Sequence, residues 1–181
     1  MTATEAVGAK QTEAVRGLRW LIKRSFLQYV ARTSDGQCST TDGASVVNDN
    51  VFLFESNSAT VSPGNAAVRA SFTGDVRFSG HHGFMFVRIA DPQIEVTDGI
   101  GSLSVIDYLT PEADSRRDLV TFKAQLIESN DEPLAVLVGT DVRLTIEGAE
   151  LFNDVYPPGE PFEDLEAQLI HPTSLSKDNH D

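Results

Sequence analysis

Two hydroxyl side chains, one helical turn apart, are the first residues of the chain that suggest chemistry. Ser25 and Tyr29 lie four positions apart in the run VRGLRWLIKRSFLQYV, residues 15–30. At about 100° per residue, both fall on the arc of a helix that carries the apolar side chains, and the basic side chains fall opposite. A buried hydroxyl needs a hydrogen-bond partner. The two hydroxyls therefore either bond inside the core or border a cavity in which Tyr29 faces a ligand, and periodicity leaves both interpretations open.

A pair of adjacent histidines between glycines is the second candidate. The segment Ser79-Gly80-His81-His82-Gly83-Phe84 lies between two stretches of alternating hydrophobicity, which is typical of a hairpin turn. The flanking glycines let the backbone bend tightly and let a bulky group approach. The segment is either a solvated hairpin tip or part of a binding site. His171 and His180 fall in or near the C-terminal tail, where exposed histidines are expected.

Other sequence signatures of catalysis are missing. The chain has no glycine-rich phosphate loop, no GxGxxG, no GxSxG and no HExxH motif. Cys38 is the only cysteine, which excludes an intramolecular disulfide and a cysteine-rich metal site, and we assign it no role.

The composition predicts one acidic globular domain. A chain of 181 residues, 40% of them hydrophobic, is long enough to bury one core. The net charge of −13 argues against nucleic acid or an anionic membrane as partner, because phosphate groups are bound by basic surfaces. No apolar run is long enough for membrane insertion, and the N-terminus lacks the apolar segment of a signal peptide. As written, the sequence predicts a cytoplasmic protein.

One long helix followed by many strands must position these candidates. Residues 1–11 are predicted to be flexible, the amphipathic helix to begin near Thr12, and residues 31–50 to form a long polar loop. Alternating apolar residues then predict strands at 51–54, 67–79, 84–89, 93–96, 102–106, 119–127, 134–138 and 141–146. This order predicts a mainly β (α+β) fold. We expect an antiparallel β-sandwich or partial barrel with the long N-terminal helix packed on one sheet, and a flexible tail at 173–181.

Several of these segments together resemble the HtaA-type haem-binding domain of actinobacterial haem-uptake proteins. The resemblance rests on the helix residues 20–30, followed by FTGDVRFSGH at 72–81, by DPQIEV at 91–96 and by the closing segment from Leu151 to Leu165. It spans about residues 18–169, so that residues 12–172 are expected to form a single HtaA-like domain.

The resemblance implies roles for the hydroxyls and the histidines. Tyr29 corresponds to the axial ligand of ferric haem b, Ser25 to a serine that contacts the haem, and His81 to the histidine that supports the tyrosine. Because free tyrosine loses its proton only near pH ~10, a phenolate ligand at neutral pH needs the charge of ferric iron and a neighbouring hydrogen-bond donor. An imidazole N–H is such a donor. Its hydrogen bond fixes the orientation of the tyrosine and reduces electron donation from the phenolate to the iron, which suits a carrier that must later release its haem. His82 could face the pocket instead of His81, which the motif favours.

Further contacts are expected from sequence position. Phe84 and Phe86 could flank the porphyrin in an apolar pocket, and Arg19 or Lys23 could meet its propionates. Haem is the expected partner, and another haem-binding protein could be its donor or acceptor. Oligomeric state is not predicted.

Two other functions are compatible with the same residues. Haem-uptake members of the family are usually exported, so the chain is either a trimmed mature form that is secreted or held at the cell surface, or a cytosolic relative. A cytosolic relative could be an enzyme in which Tyr29 and His81 are catalytic and transfer protons, for example an isomerase or cyclase acting on an apolar small molecule. A structural or protein-binding β-domain without a pocket is the third possibility.

Overall fold

A computed structural model describes residues 16–128 and 135–169, and within these ranges the chain forms twelve strands and two α-helices. The strands are β1 Gly17–Trp20, β2 Gln37–Thr41, β3 Ala44–Val47, β4 Val51–Val61, β5 Ala67–Thr73, β6 Asp75–Gly80, β7 Met85–Ala90, β8 Gln93–Thr97, β9 Ile100–Ile106, β10 Arg116–Glu128, β11 Ala135–Leu144 and β12 Leu165–Leu169. The helices are α1 Arg24–Arg32 and α2 Ile146–Leu151. The predicted flexible segments 1–11 and 173–181, with His171 and His180, lie outside the described residues.

Eight of the strands close into an antiparallel barrel. Their order is β1-β12-β11-β10-β9-β8-β5-β4, and β4 pairs back with β1, with Leu18 opposite Phe54. Strand β3 extends from β4, and β2, β6 and β7 form a separate three-stranded sheet. The mainly β, antiparallel prediction is confirmed, but the expected sandwich or partial barrel is a closed ring. Closure satisfies the backbone hydrogen bonds that an open sheet leaves at its edges.

The predicted break between two strands at residues 139–140 lies inside one continuous strand. Residues 134–138 and 141–146 were expected as separate strands, but β11 runs through Gly139, which pairs with Ala124 on one side and Leu165 on the other. A Cβ atom at this position would lie 2.8 Å from side-chain atoms of Leu165 and Phe122. Gly139 therefore permits close packing and does not end the strand.

The long N-terminal helix is the main prediction that the structure contradicts. Residues 17–20 form β1, with Leu18 and Trp20 buried two positions apart, and the helix begins only at Arg24. The buried Ile22 has a φ of +70° and redirects the chain between the two elements. β1 pairs with both β4 and β12, so these tertiary contacts outweigh the helical period of the sequence.

The predicted polar loop at 31–50 is also wrong, because nearly half of it is β-strand. Strands β2 and β3 occupy it and are joined by Asp42 and Gly43, whose φ values of +57° and +106° suit a tight hairpin. The side chains of both strands are exposed or half-buried. Because these strands have no apolar face in the core, their sequence shows no hydrophobic alternation.

Helix α1 packs on the small sheet through one narrow stripe. Phe26 and Val30 are its buried residues, and the Phe26 ring meets Phe78 of β6 and Phe152 edge-on, at centroid distances of 5.1 and 5.2 Å. Ser25 and Tyr29 lie beside this stripe and are exposed. The expectation that both hydroxyls lie within the apolar arc is therefore wrong, because that arc included residues of β1.

Candidate functional site

The exposed side of α1 carries the two hydroxyl residues. Tyr29 is 42% exposed, and Ser25, one turn earlier, is exposed as well. Thr33 ends the helix, donating from its backbone N–H and its hydroxyl to the Tyr29 carbonyl at 3.1 and 2.9 Å. The helix thus presents Tyr29 in its last turn at the surface, and not in the enclosed apolar pocket that the sequence predicted.

The adjacent histidines form the turn between β6 and β7, which confirms the predicted hairpin. His81, His82 and Gly83 all have positive φ, at +49°, +57° and +90°, and the Phe84 N–H closes the turn on the His81 carbonyl at 3.1 Å. Histidine is among the non-glycine residues that tolerate this backbone region best. The two histidine rings have different surroundings: His81 contacts Tyr29, and the His82 side chain is exposed to solvent. The sequence alone does not distinguish them.

The structure brings Tyr29 and His81 together from positions 52 residues apart. The Tyr29 hydroxyl is hydrogen-bonded to His81 Nε2, and the two ring centroids are 5.7 Å apart with planes inclined by 43°. An imidazole nitrogen can accept a proton from a phenol or donate one to a phenolate, depending on its tautomer. This pair can therefore hold a phenolic oxygen in either protonation state at the protein surface.

The carboxylate of Asp35 accepts two backbone hydrogen bonds from the turn formed by His81, His82 and Gly83, here called the histidine turn. Its Oδ1 accepts the His81 backbone N–H at 2.9 Å, and its Oδ2 accepts the His82 backbone N–H at 2.7 Å. The His82 N–H above all, helped by that of His81, lowers the pKa of Asp35 below its ordinary value. Sequence reasoning missed Asp35, because a single aspartate in a polar loop has no pattern that distinguishes it.

The other residues that are expected to contact haem lie at the histidine turn or on the opposite face of the small sheet. The His82 side chain is 94% exposed, with Nδ1 3.9 Å from Asp35 Oδ2, and Phe84 is 90% exposed. Phe86 is half-buried on the face of β7 opposite to the buried Met85 and Val87, and its ring meets Tyr108 edge-on at 5.5 Å. The structure therefore places His82 and Phe84 in the turn beside the pair, but Phe86 on the other side of the sheet.

Lys23 is not on a solvated basic face. It is only 8% exposed, donates to the Pro161 carbonyl at 2.8 Å, pairs with Glu160 at 3.0 Å, and its ammonium lies 4.9 Å from the centre of the Tyr156 ring. Its charge anchors the start of α1 to the chain before β12, so the expected propionate contact of Lys23 is contradicted. Arg19 lies on β1 and not on the helix.

A separate groove flanks the other side of α1. Its volume is about 310 Å³, and its apolar lining includes Leu27, Val30, Phe52 and Phe78. Neither Tyr29 nor His81 lines it. Across the described ranges, no cluster of three or more histidine, cysteine or acidic side chains could hold a bare metal ion, and no helix there is long and apolar enough to cross a membrane.

The chain is thus a mainly β domain, in which a closed antiparallel barrel is joined to a small second sheet and a tyrosine of α1 contacts a histidine of a hairpin turn. The HtaA family (Htaa) matches residues 16–168, and the chain belongs to this family. No curated protein matches the chain significantly.

Solved structures with the same fold come from Corynebacterium glutamicum. The C-terminal domain of HtaA is 24% identical with a TM-score of 0.68, over 85% of this chain and 97% of that one. The N-terminal domain of HtaA is 21% identical with a TM-score of 0.67, over 87% and 97%. The haem-binding protein HtaB is 16% identical with a TM-score of 0.62, over 85% and 91%. At these identities the likeness shows the fold alone.

Proposed function

We propose that the protein is a haem carrier that binds ferric haem b at the exposed edge of α1, with the Tyr29 phenolate as axial ligand. The observation that carries the proposal is the hydrogen bond between the Tyr29 hydroxyl and His81 Nε2. Membership of the HtaA family supports it, and so does the fold shared with HtaB, a protein described as haem-binding.

The donor set suits haem better than a free metal ion. A free transition-metal ion is usually held by three or four protein side chains, whereas a porphyrin supplies four nitrogen ligands and leaves one or two axial positions for the protein. Tyr29 offers one anionic oxygen, which favours Fe(III). Among residues 16–128 and 135–169, no group of three or more histidine, cysteine or acidic side chains could hold a bare ion.

Each neighbour of Tyr29 has a role in this proposal. His81 Nε2–H donates to the phenolate oxygen and fixes its direction. Ser25 lies one turn before Tyr29 and is exposed as well, so its hydroxyl would be available to contact the haem. Arg32 lies in the last turn of α1 after Tyr29 and would supply the positive charge for a propionate, because Lys23 is buried. Phe84, which is 90% exposed beside the turn, would cover one edge of the macrocycle.

The exposure of Tyr29 favours a haem carrier over an enzyme. A proton-transfer enzyme for an apolar substrate would place Tyr29 and His81 on the wall of a cavity, but the apolar groove beside α1 is lined by neither residue. An axial ligand at the surface leaves the haem edge accessible to a second haem-binding protein, which is what transfer of the group requires. We therefore assign haem uptake, transfer or storage to this surface.

A hemin titration with matched tyrosine variants tests the proposal. The wild-type protein should give a shifted Soret band and phenolate-to-iron charge-transfer bands. Tyr29→Phe should abolish the charge-transfer bands, because it removes the ligand oxygen and keeps the ring. Tyr156→Phe makes the same chemical change next to Lys23, away from the site, and should bind hemin like the wild type. Equal spectra for the wild type and Tyr29→Phe would refute the assignment.

A further inference from the structure

The backbone of the histidine turn has a conformation that other residues must stabilise. His81 and His82 are consecutive residues with positive φ, a conformation that L-residues adopt only when their surroundings stabilise it. In such a conformation, successive N–H groups point to the same side and form a concave site for an anion. The occupant in this structure is the Asp35 carboxylate, with one oxygen on each N–H at 2.9 and 2.7 Å.

The loop that carries Asp35 is itself tied to the end of the helix that carries Tyr29. Thr33 binds the Tyr29 carbonyl, and the Gly36 N–H donates to the Thr33 carbonyl at 3.0 Å. A Cβ atom on Gly36 would lie 2.0 Å from the Val30 carbonyl oxygen, so the loop lies directly against the last turn of α1. Asp35 therefore has a fixed position relative to Tyr29.

The turn and the loop also approach each other closely at Gly80. A Cβ atom there would lie 3.2 Å from the Thr33 methyl group and 3.1 Å from the end of Met85. This contact limits how far the turn can approach the loop, and the two Asp35 hydrogen bonds fix the backbone of His81 and His82 to the loop. The direction of the His81 ring follows from that backbone.

We propose that Asp35 is a positioning residue for haem binding, which holds His81 Nε2 against the Tyr29 oxygen by fixing the backbone of the histidine turn. The inference rests on the proposed haem site, because Asp35 acts on the ligand only through His81. Asp35 does not touch the phenolic oxygen, and its two hydrogen bonds end on backbone groups.

The haem-free protein tests the anchor directly. In the wild type, the amide protons of His81 and His82 should exchange slowly, and the Tyr29 and His81 rings should show a nuclear Overhauser contact. Asp35→Asn keeps the side-chain volume but replaces one acceptor oxygen by an NH₂ group that faces an N–H donor. Both amides should then exchange about tenfold faster or more, and the contact between the rings should be lost. Unchanged exchange and an unchanged ring contact would overturn the inference, whether or not hemin binds.

A double-variant comparison separates positioning from a general structural effect. Asp35→Asn should speed hemin dissociation by about as much as His81→Asn, roughly 10- to 30-fold, and the double variant should dissociate no faster than His81→Asn alone. Asp42→Asn removes an equal charge from the next turn, at a residue with a similar φ of +57°, and should leave dissociation unchanged. An effect of Asp35→Asn that persists in full without His81 would overturn the positioning role. Failure of the wild type to bind hemin would refute the haem site and leave the ring contact as the test of the anchor.

Discussion

Replacing His81 by asparagine should accelerate hemin dissociation while replacing His82 by asparagine should not. The two residues are adjacent, have similar φ values of +49° and +57°, and both donate a backbone N–H to Asp35. Asparagine tolerates this backbone region, so neither substitution strains the turn. Only His81 directs its ring at Tyr29, since the His82 side chain is 94% exposed. The asparagine side chain is shorter than histidine and cannot reach the Tyr29 oxygen.

The size of the effect follows from one hydrogen bond to an anionic oxygen. Hydrogen bonds to charged groups contribute about 1.5–3 kcal/mol, and less when solvent screens them. Tyr29 is 42% exposed, so the lower part of that range applies, about 1.5–2 kcal/mol. This corresponds to roughly a 10- to 30-fold weaker complex. Because the bond stabilises the bound state and not the encounter, most of the change should be in the dissociation rate.

Transfer of hemin to an excess of a high-affinity acceptor protein measures that rate from the Soret band. The wild type and His82→Asn should dissociate at the same rate, and His81→Asn should be roughly 10- to 30-fold faster. The charge-transfer bands should persist in both variants, shifted only in His81→Asn, because Tyr29 remains the ligand. Equal rates for the two asparagine variants would show that His81 does not support the tyrosine, and the assignment of Tyr29 as a supported ligand would fail with it.

Two further predictions concern the scaffold. Phe26→Ala should lower the free energy of unfolding by about 3–5 kcal/mol in urea denaturation, because the ring is 2% exposed, and Leu27→Ala, at a half-buried position, should cost clearly less. Burial raises the pKa of Asp75, but its hydrogen bonds to Arg77 and Arg88 outweigh burial and lower it below the ordinary value. The stabilisation by Asp75 is therefore complete above about pH 5 and is lost as the pH falls through the lowered folded-state pKa. Asp75→Asn should be less stable than the wild type at pH 7, with a difference that disappears in acid, and a difference independent of pH would contradict this.

The strands of the barrel could be predicted because their side chains alternate between core and solvent. β5, β8 and β9 bury every second residue, so that period two is present in the sequence itself. β1 has the same alternation at Leu18 and Trp20, but it is only four residues long and runs into a helix. A sequence window that is long enough to detect a helix covers both β1 and α1. The apolar residues of the two elements then combine into a helical period, so the sequence predicts one long helix. The strand is set by pairing with β4 and β12, residues far along the chain.

The candidate site was predictable only in part. Tyr29 and His81 could be selected because of the resemblance to the HtaA type, and the glycines around the histidines indicated a turn. The exposure of Tyr29 could not be predicted, because it depends on where α1 begins. Asp35 could not be predicted either, because it acts through backbone N–H groups and its partners lie 46 and 47 residues away. Residues recognised by side-chain type were therefore found, and the residue that orients them was not.

The candidate site is built on α1 and on the small sheet, and not on the closed barrel. The barrel is closed, whereas β2 and β7 are the outer strands of the three-stranded sheet, and the loop with Asp35 leads into β2 while the histidine turn joins β6 to β7. All residues of the site except those on α1 thus belong to the smaller sheet, and α1 is fixed to that sheet through Phe26 and Phe78. Hydrogen bonds at open sheet edges break more readily than those in a closed ring. In the proposed haem carrier, a local change at this edge would move the histidine turn relative to α1 and so alter the hydrogen bond between His81 and the axial ligand Tyr29.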